Sequence, residues 1–311
     1  MINFLKKYGN VFEDSSLKEH NTYRIGGIAK YLVLPSNVDN FIELIKFLKT
    51  NNINYKILGN GSNIIIGSKK YDGVIIKLSN LDSIEVDREK LLVNAEAGVM
   101  LYKLTMKTLD YNLSGLEWAA GIPGTVGGSI IGNAGAYNIE IFDCLNTITI
   151  LNTNNEVKTL NINEIRYGYR DTEFKENGAI ILSATFKLKQ GNKNESLELI
   201  SARREKRLTT QPLEYPSAGS VFKNPSEEDI QKIPNNIDIK GPYAGHLIEE
   251  CGLKGTTIND AQISEKHANF IINRGNATSE DIKALIDLAK EEVYNKYGYV
   301  LKPEQEFFNW E

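Results

Sequence analysis

Between Gly121 and Tyr137 the chain reads GIPGTVGGSIIGNAGAY, six glycines in seventeen residues. Glycine inside a regular element costs roughly 0.5–1 kcal/mol relative to alanine, so this density argues against an uninterrupted helix or strand. Flexible linkers are rich in glycine and serine but poor in apolar residues. Here Ile122, Val126, Ile130 and Ile131 are interleaved with the glycines. What remains is a folded segment whose backbone is moulded around a bulky ligand, and a diphosphate carrying a flat ring would suit it. A shorter cluster, LGNGSN at Leu58 to Asn63, lies between the apolar runs YKIL and NIIIG. Its backbone N–H groups could form an anion-binding nest; taken alone, an ordinary β-turn is the better explanation of it.

The patterning on either side divides the chain into two regions. DNFIELIKFLKT sets Phe41, Leu44, Ile45 and Leu48 on one helical face behind a cap at Asp39 or Asn40. YKIL, NIIIG, GVIIKL, KLLVNAEAG, NTITILNT and AIILSATFKLK read as strands, and YKLTMKTLD as a second amphipathic helix. GNKNE then breaks the pattern ahead of a charged helix, SLELISARREKRL. SEEDIQKI opens on a capping-box pair, Ser226 and Asp229. ATSEDIKALIDLAKEEVYNKYG is a long helix capped by Thr278 or Ser279 and closed by Gly298. The expectation is an α/β region over 1–190 and an α+β domain over 191–311.

Composition removes several function classes. The 311 residues are 41% hydrophobic and 24% charged, as in globular domains, and suffice for two of them. A net charge of −4 gives no basic face for nucleic acid, so an anionic ligand must be met by local cations and N–H groups. Cys144 and Cys251 lie far apart, which argues against a disulfide framework or a thiolate metal site and for a reducing cytoplasm. MINFLKKYGN has no long apolar run, so neither a secretory leader nor a membrane span is expected there. Neither G-x-G-x-x-G after a strand nor G-x-x-x-x-G-K-[ST] is present. Ser220, in PSAGSVFKNP, lacks the G-x-S-x-G setting of a hydrolase nucleophile. Only three histidines, His20, His246 and His267, are available to serve as its base.

Taken in order, NTYRIGG (21–27), LGNGSN, AAGIPGTVGGSIIGNAGAY, YGYRDTEF (167–174), QPLEYPSAGSVFKNP, SEKHANFIIN and LKPE (301–304) closely resemble the UDP-N-acetylenolpyruvoylglucosamine reductase family, flavoproteins of peptidoglycan precursor synthesis. The resemblance runs from about Asn21 to Glu304. It implies an FAD-binding fold of the vanillyl-alcohol-oxidase type, made of two α/β subdomains, followed by a C-terminal α+β substrate domain. It also implies non-covalent FAD, NADPH as co-substrate and a UDP-sugar substrate, in a cytoplasmic enzyme, with a monomer favoured. The implied FAD contacts are Gly59, Asn60, Gly61, Ser62 and Asn63 in the first cluster. In the second they are Ile122, Pro123, Gly124, Gly127, Gly128, Asn133 and Ala134.

The family's chemistry assigns roles. Hydride goes to the terminal carbon of the enolpyruvyl group, negative charge develops at the adjacent carbon and its carboxylate, and that carbon is then protonated. The resemblance implies Arg170 as the stabilising cation with help from Glu304, and Ser220 as the proton donor, so that Ser220 is an acid. Tyr169, Asn224 and Lys223 are the implied substrate contacts. Read alone, Arg170 is better explained as a surface ion pair with Asp171, and Glu304 as a solvated residue after Pro303. Thr210 in RLTTQP stands where relatives commonly carry lysine, which leaves Lys206 or Arg207 to meet phosphate. The stretch between Phe174 and Arg203 is short and has no tyrosine, as in the branch without a substrate-closing loop. The other readings are a different FAD-dependent alcohol or sugar oxidoreductase, or a non-enzymatic flavin-binding protein.

Overall fold

A computed structural model describes residues 1–231, 233 and 243–310. It divides into two compact units. The first comprises Met1–Ser15, Ala29–Asn60 and Asp72–Glu205; the second comprises Ser16–Ile28, Gly61–Tyr71 and the chain from Lys206 onward. This differs from a single cut near residue 190. The helix Lys193–Thr210 runs through the later boundary, and two early segments belong to the later unit. A linear reading misses this because strand pairing ignores sequence distance.

The first unit contains two sheets of four or more strands among the described residues, besides three two-stranded ones. In one, the strands Gly9–Ser16, Ile28–Pro35, Tyr71–Lys77 and Tyr55–Leu58 lie in that order, the last two parallel. Between Ile28–Pro35 and Tyr55–Leu58 the chain forms the helix Val38–Thr50, which buries Phe41, Leu44, Ile45 and Leu48 as its periodicity requires. Its cap is Asn37, whose side chain accepts from Asn40 N at 2.8 Å, not Asp39 or Asn40. Val38 begins the first turn of the apolar face, so the cap falls one residue before it. The other sheet is antiparallel, in the order Val157–Asn161, Leu145–Leu151, Ile180–Lys187, Leu92–Glu96, Ile84–Asp87.

The second unit has its own core around Tyr23, Ile25, Phe222, Leu285 and Tyr297. The helix Ser279–Tyr297 packs beside a three-stranded antiparallel sheet of Thr257–Ile258, Ala261–Ile263 and Ile271–Asn273. Thr278 is its cap: Asp281 N donates to Thr278 Oγ1 and Thr278 N donates to Asp281 Oδ2. Gly298 ends it at φ +66°, where a side chain would be strained. Ser226 and Asp229 exchange the expected pair of bonds at the helix Glu227–Gln231. The strand Glu306–Phe308 pairs in parallel with Ile64–Ile66. Among the described residues no helix is long and apolar enough to cross a membrane.

Candidate active site

In the first unit the start of the shorter glycine cluster, Gly59 and Asn60, meets the longer one. Asn60 Nδ2 donates to the Pro123 carbonyl at 2.7 Å, and a Cβ on Gly59 would lie 2.6 Å from Thr125 Oγ1. Gly124 O accepts from Leu101 N, and Ile122 N donates to Ala119 O. The dense segment does contain a regular element, the six-residue helix Val126–Ile131. Thr125 caps it through Gly128 N, and Val126 and Ile130 anchor it in the core. The capping bond and the apolar anchors offset the glycine penalty.

The glycines there have different causes. A Cβ on Gly127 would sit 3.0 Å from that of Ala97, and one on Gly124 would sit 2.7 Å from Ser129 Oγ, so the protein itself requires both. Gly128 is different. A Cβ there would meet only Thr125 Oγ1, at an ordinary 3.4 Å, and its backbone is not left-handed. A helical glycine with free space and no conformational need is unfavourable by about 1 kcal/mol. The residue type therefore fits close approach by a bulky group such as FAD.

Arg170 sits with Tyr169 in the two-residue turn of the hairpin Tyr167–Gly168/Asp171–Thr172. The turn is docked on the end of the glycine segment. Asn133 Nδ2 donates to Gly168 O (2.8 Å) and Glu140 Oε2 (2.6 Å). Arg170 Nη1 donates to Asn133 O (3.2 Å) and Nη2 to Gly135 O (2.7 Å), with Glu140 Oε1 3.7 Å away. Lys175 Nζ donates to the Arg170 carbonyl (2.8 Å). Arg170 has φ +53°, a conformation that costs on the order of 1–3 kcal/mol and persists only where surroundings enforce it. Asp171 pairs instead with Arg166 at 3.3 Å and lies 4.0 Å from Lys175. Tyr169 is half-exposed with its ring beneath the Arg170 guanidinium, 5.0 Å away. Asn133 is fully buried, and among the described residues its Oδ1 has no partner. Ala134 lies within the same turn, its N–H on Ser129 O.

In the second unit Ser220 and Glu304 lie on two segments joined by a bridge. Glu304 N donates to Val221 O (2.8 Å) and Lys223 N to Lys302 O (2.9 Å), around a Phe222–Pro303 bridge. Ser220 is half-buried and follows Gly219 at φ +75°. Asn269 clamps the other side: its side chain exchanges bonds with Phe222 N and O, both 2.9 Å, and its carbonyl accepts from Val221 N. Asn63 Nδ2 donates to Glu304 O (3.1 Å), and Asn63 O accepts from Glu306 N. Gly61, at φ +68°, would place a Cβ 2.5 Å from the His20 carbonyl oxygen, and Thr22 N donates to its carbonyl. Gly61 and Asn63 are thus bound to the protein's own chain, with Ser62 half-buried between them. Asn224 Oδ1 accepts from Ala244 N (3.1 Å) at the start of the helix Ala244–Glu250. Lys223 is half-buried.

His267, the candidate base for a hydrolase, accepts Asn269 N–H on Nδ1 (3.2 Å). Burial, with Lys254 adding to it, holds its pKa below the ordinary histidine value, so the ring stays neutral. Glu140, Lys175, Asn269 and Gln305 do not stand out in the sequence. Each acts through a partner distant in the chain, and no spacing motif marks that.

Residues 29–161 match a family model described as an FAD binding domain. Residues 211–308 match the UDP-N-acetylenolpyruvoylglucosamine reductase C-terminal domain. UDP-N-acetylenolpyruvoylglucosamine reductase of Caldicellulosiruptor saccharolyticus is 40% identical over 308 residues, 98% of this chain and 92% of the relative. That of Caldicellulosiruptor bescii is 43% identical over 307 residues, 98% and 93% respectively. The crystal structure of the Thermus caldophilus reductase superposes with a TM-score of 0.77 at 29% identity, covering 96% of this chain and 98% of that one. On this evidence the chain belongs to the UDP-N-acetylenolpyruvoylglucosamine reductase family.

Proposed function

We propose that this protein is an FAD-containing, NADPH-dependent oxidoreductase that converts UDP-N-acetylenolpyruvoylglucosamine to UDP-N-acetylmuramate for peptidoglycan synthesis. In this reading it works as a cytoplasmic monomer. Gly59, Asn60 and the segment from Ile122 to Ala134 would hold FAD, with Gly128 leaving it room. When bound, FAD supplies the two-electron relay between NADPH and the enolpyruvyl double bond. The Arg170 guanidinium, immobilised by two carbonyls, stabilises negative charge as it develops on the substrate. Ser220 delivers the proton to carbon, and Glu304 assists the same charge development. Tyr169, Lys223 and Asn224 contact the sugar nucleotide.

The observation that carries the assignment of the acid is the shared bridge: Glu304 N on Val221 O holds Ser220 and Glu304 on facing segments, although they are remote in sequence. A hydrolase would need a base for Ser220, and His267 Nδ1 is already bonded to Asn269 N–H. The test is an NADPH oxidation assay on the yellow protein with and without the enolpyruvyl sugar nucleotide. Oxidation that depends on the sugar nucleotide and yields the lactyl ether supports the reading. Oxidation indifferent to it, or turnover of an alcohol instead, overturns it.

A further inference from the structure

Gln305 directly follows Glu304 and is 3% exposed. Its amide is almost fully engaged. Nε2 donates to the carbonyls of Ala218 (3.0 Å) and Gly219 (3.2 Å), and Oε1 accepts the Tyr23 hydroxyl (3.2 Å). Tyr23 is itself fully buried, and burial raises its phenol pKa, so it remains a donor. The two carbonyls are consecutive, and the second belongs to the peptide joining Gly219 to Ser220. A carbonyl and the N–H of the same peptide share one plane, so fixing Gly219 O fixes the direction in which Ser220 leaves it. Gly219 needs such a restraint. Its φ is +75°, and a Cβ built on it would touch nothing within 4 Å, so no steric contact at that position selects its conformation.

We propose that Gln305 is a positioning residue for Ser220, with Tyr23 orienting its amide. The inference rests on the reading of Ser220 as the proton donor. Gln305 ties three parts together: the segment carrying Ser220, the segment carrying Glu304, and the Tyr23 segment. A hydrocarbon side chain in its place leaves two carbonyls and a phenol unpaired and frees the Gly219 peptide to rotate. Ser220 Oγ then points to carbon in only a fraction of encounters, and a misplacement of about 1 Å can cost on the order of 100-fold in rate.

The test separates the half-reactions by flavin absorbance in the holoenzyme and uses a double-mutant cycle. In Gln305→Leu, flavin reduction by NADPH should proceed at the normal rate, while reoxidation by the enolpyruvyl substrate slows about 10–100-fold with little change in substrate Kd. In the Ser220→Ala background, Gln305→Leu should add nothing. Tyr23→Phe, which removes one oxygen and keeps the Nε2 donors, should slow reoxidation by a few-fold with the same dependence on Ser220. It keeps the proposal testable should Gln305→Leu not fold. Equal slowing in both backgrounds, slowed flavin reduction, or an unchanged rate would each overturn the proposal. Ser220→Ala reoxidising normally is a separate failure: it overturns Ser220 as the acid whatever Gln305→Leu does, and this inference falls with it.

Discussion

Replacing Gly128 by alanine should raise the stability of the apoprotein and lower its affinity for FAD. The added Cβ meets only Thr125 Oγ1 at 3.4 Å, and the backbone there is already helical, so the folded chain absorbs it without strain. Alanine gains helix propensity and restricts the unfolded chain, together worth about 0.4–1 kcal/mol, which is a rise of roughly 0.6–1.5 °C in Tm for a chain this long. If FAD packs against that backbone, the same methyl is an overpacking defect of about 1–3 kcal/mol, or roughly 5–150-fold in Kd. Gly128→Val enlarges the defect and should abolish stoichiometric binding. Acid precipitation should release all the colour from the wild type, since the cofactor is held non-covalently. FAD titrated into apoprotein, with thermal unfolding of the apo forms, reads both quantities. A control, Gly127→Ala, collides with Ala97 at 3.0 Å and should destabilise the apoprotein. Wild-type FAD affinity in Gly128→Ala would refute the argument that a ligand dictates this glycine. A destabilised apoprotein would show that packing dictates it instead.

Three further outcomes are expected. Ser220→Ala should leave NADPH reduction of the flavin near normal and slow reoxidation by about 10²–10⁴-fold, with Ser220→Cys recovering part of the rate; stopped-flow absorbance measures both. Thr210, whose hydroxyl donates to Lys206 O at 2.8 Å in the last turn of its helix, can be changed to lysine. KM for the sugar nucleotide should then fall, by a charge-assisted bond of about 1.5–3 kcal/mol, at nearly constant kcat; an unchanged KM would mean that another cation already serves. His267 has a folded pKa lowered by burial, so the unfolded chain binds this proton at a higher pH than the folded one. Its contribution is therefore complete above the unfolded value of about 6.5 and is lost as pH falls through the lowered folded value. His267→Asn should flatten the fall in Tm as pH drops below about 6.5; an unchanged slope would contradict the sign.

Local pattern was legible where one segment determines its own structure. The helix Ser279–Tyr297 carries its cap, its apolar stripe and its terminal glycine within the segment, and all three appear as read. The strands Leu145–Leu151 and Ile180–Lys187 are also plain, because both are rich in β-branched residues. The site was legible as a set of motifs. The role of each glycine was not: Gly127 and Gly128 are adjacent in sequence, yet one is dictated by Ala97 and the other faces open space. The unit boundary was hidden for a related reason. Ile64–Ile66 reads as an ordinary strand, and nothing in its residues names Glu306–Phe308 as its neighbour. Gln305 reads as a surface amide until the carbonyls of Ala218 and Gly219 are placed beside it.

That parallel pairing also sets an order of events during synthesis. Ile64–Ile66 leaves the ribosome some 240 residues before the strand that covers it, which at about 5–20 residues per second is a wait of roughly 12–50 s. Through that interval a short run of three isoleucines has an unpaired edge, open to neighbouring chains. The first unit meets no such delay, since its last residue is Glu205. If the first unit folds as soon as its chain is made, the nascent protein should pass through a long-lived state with that unit complete and the second in three separated pieces. The closing bonds come only when Gly67 N reaches Phe308 O and the Trp310 indole reaches Ile65 O. Clipping those final residues after release should expose the same edge again.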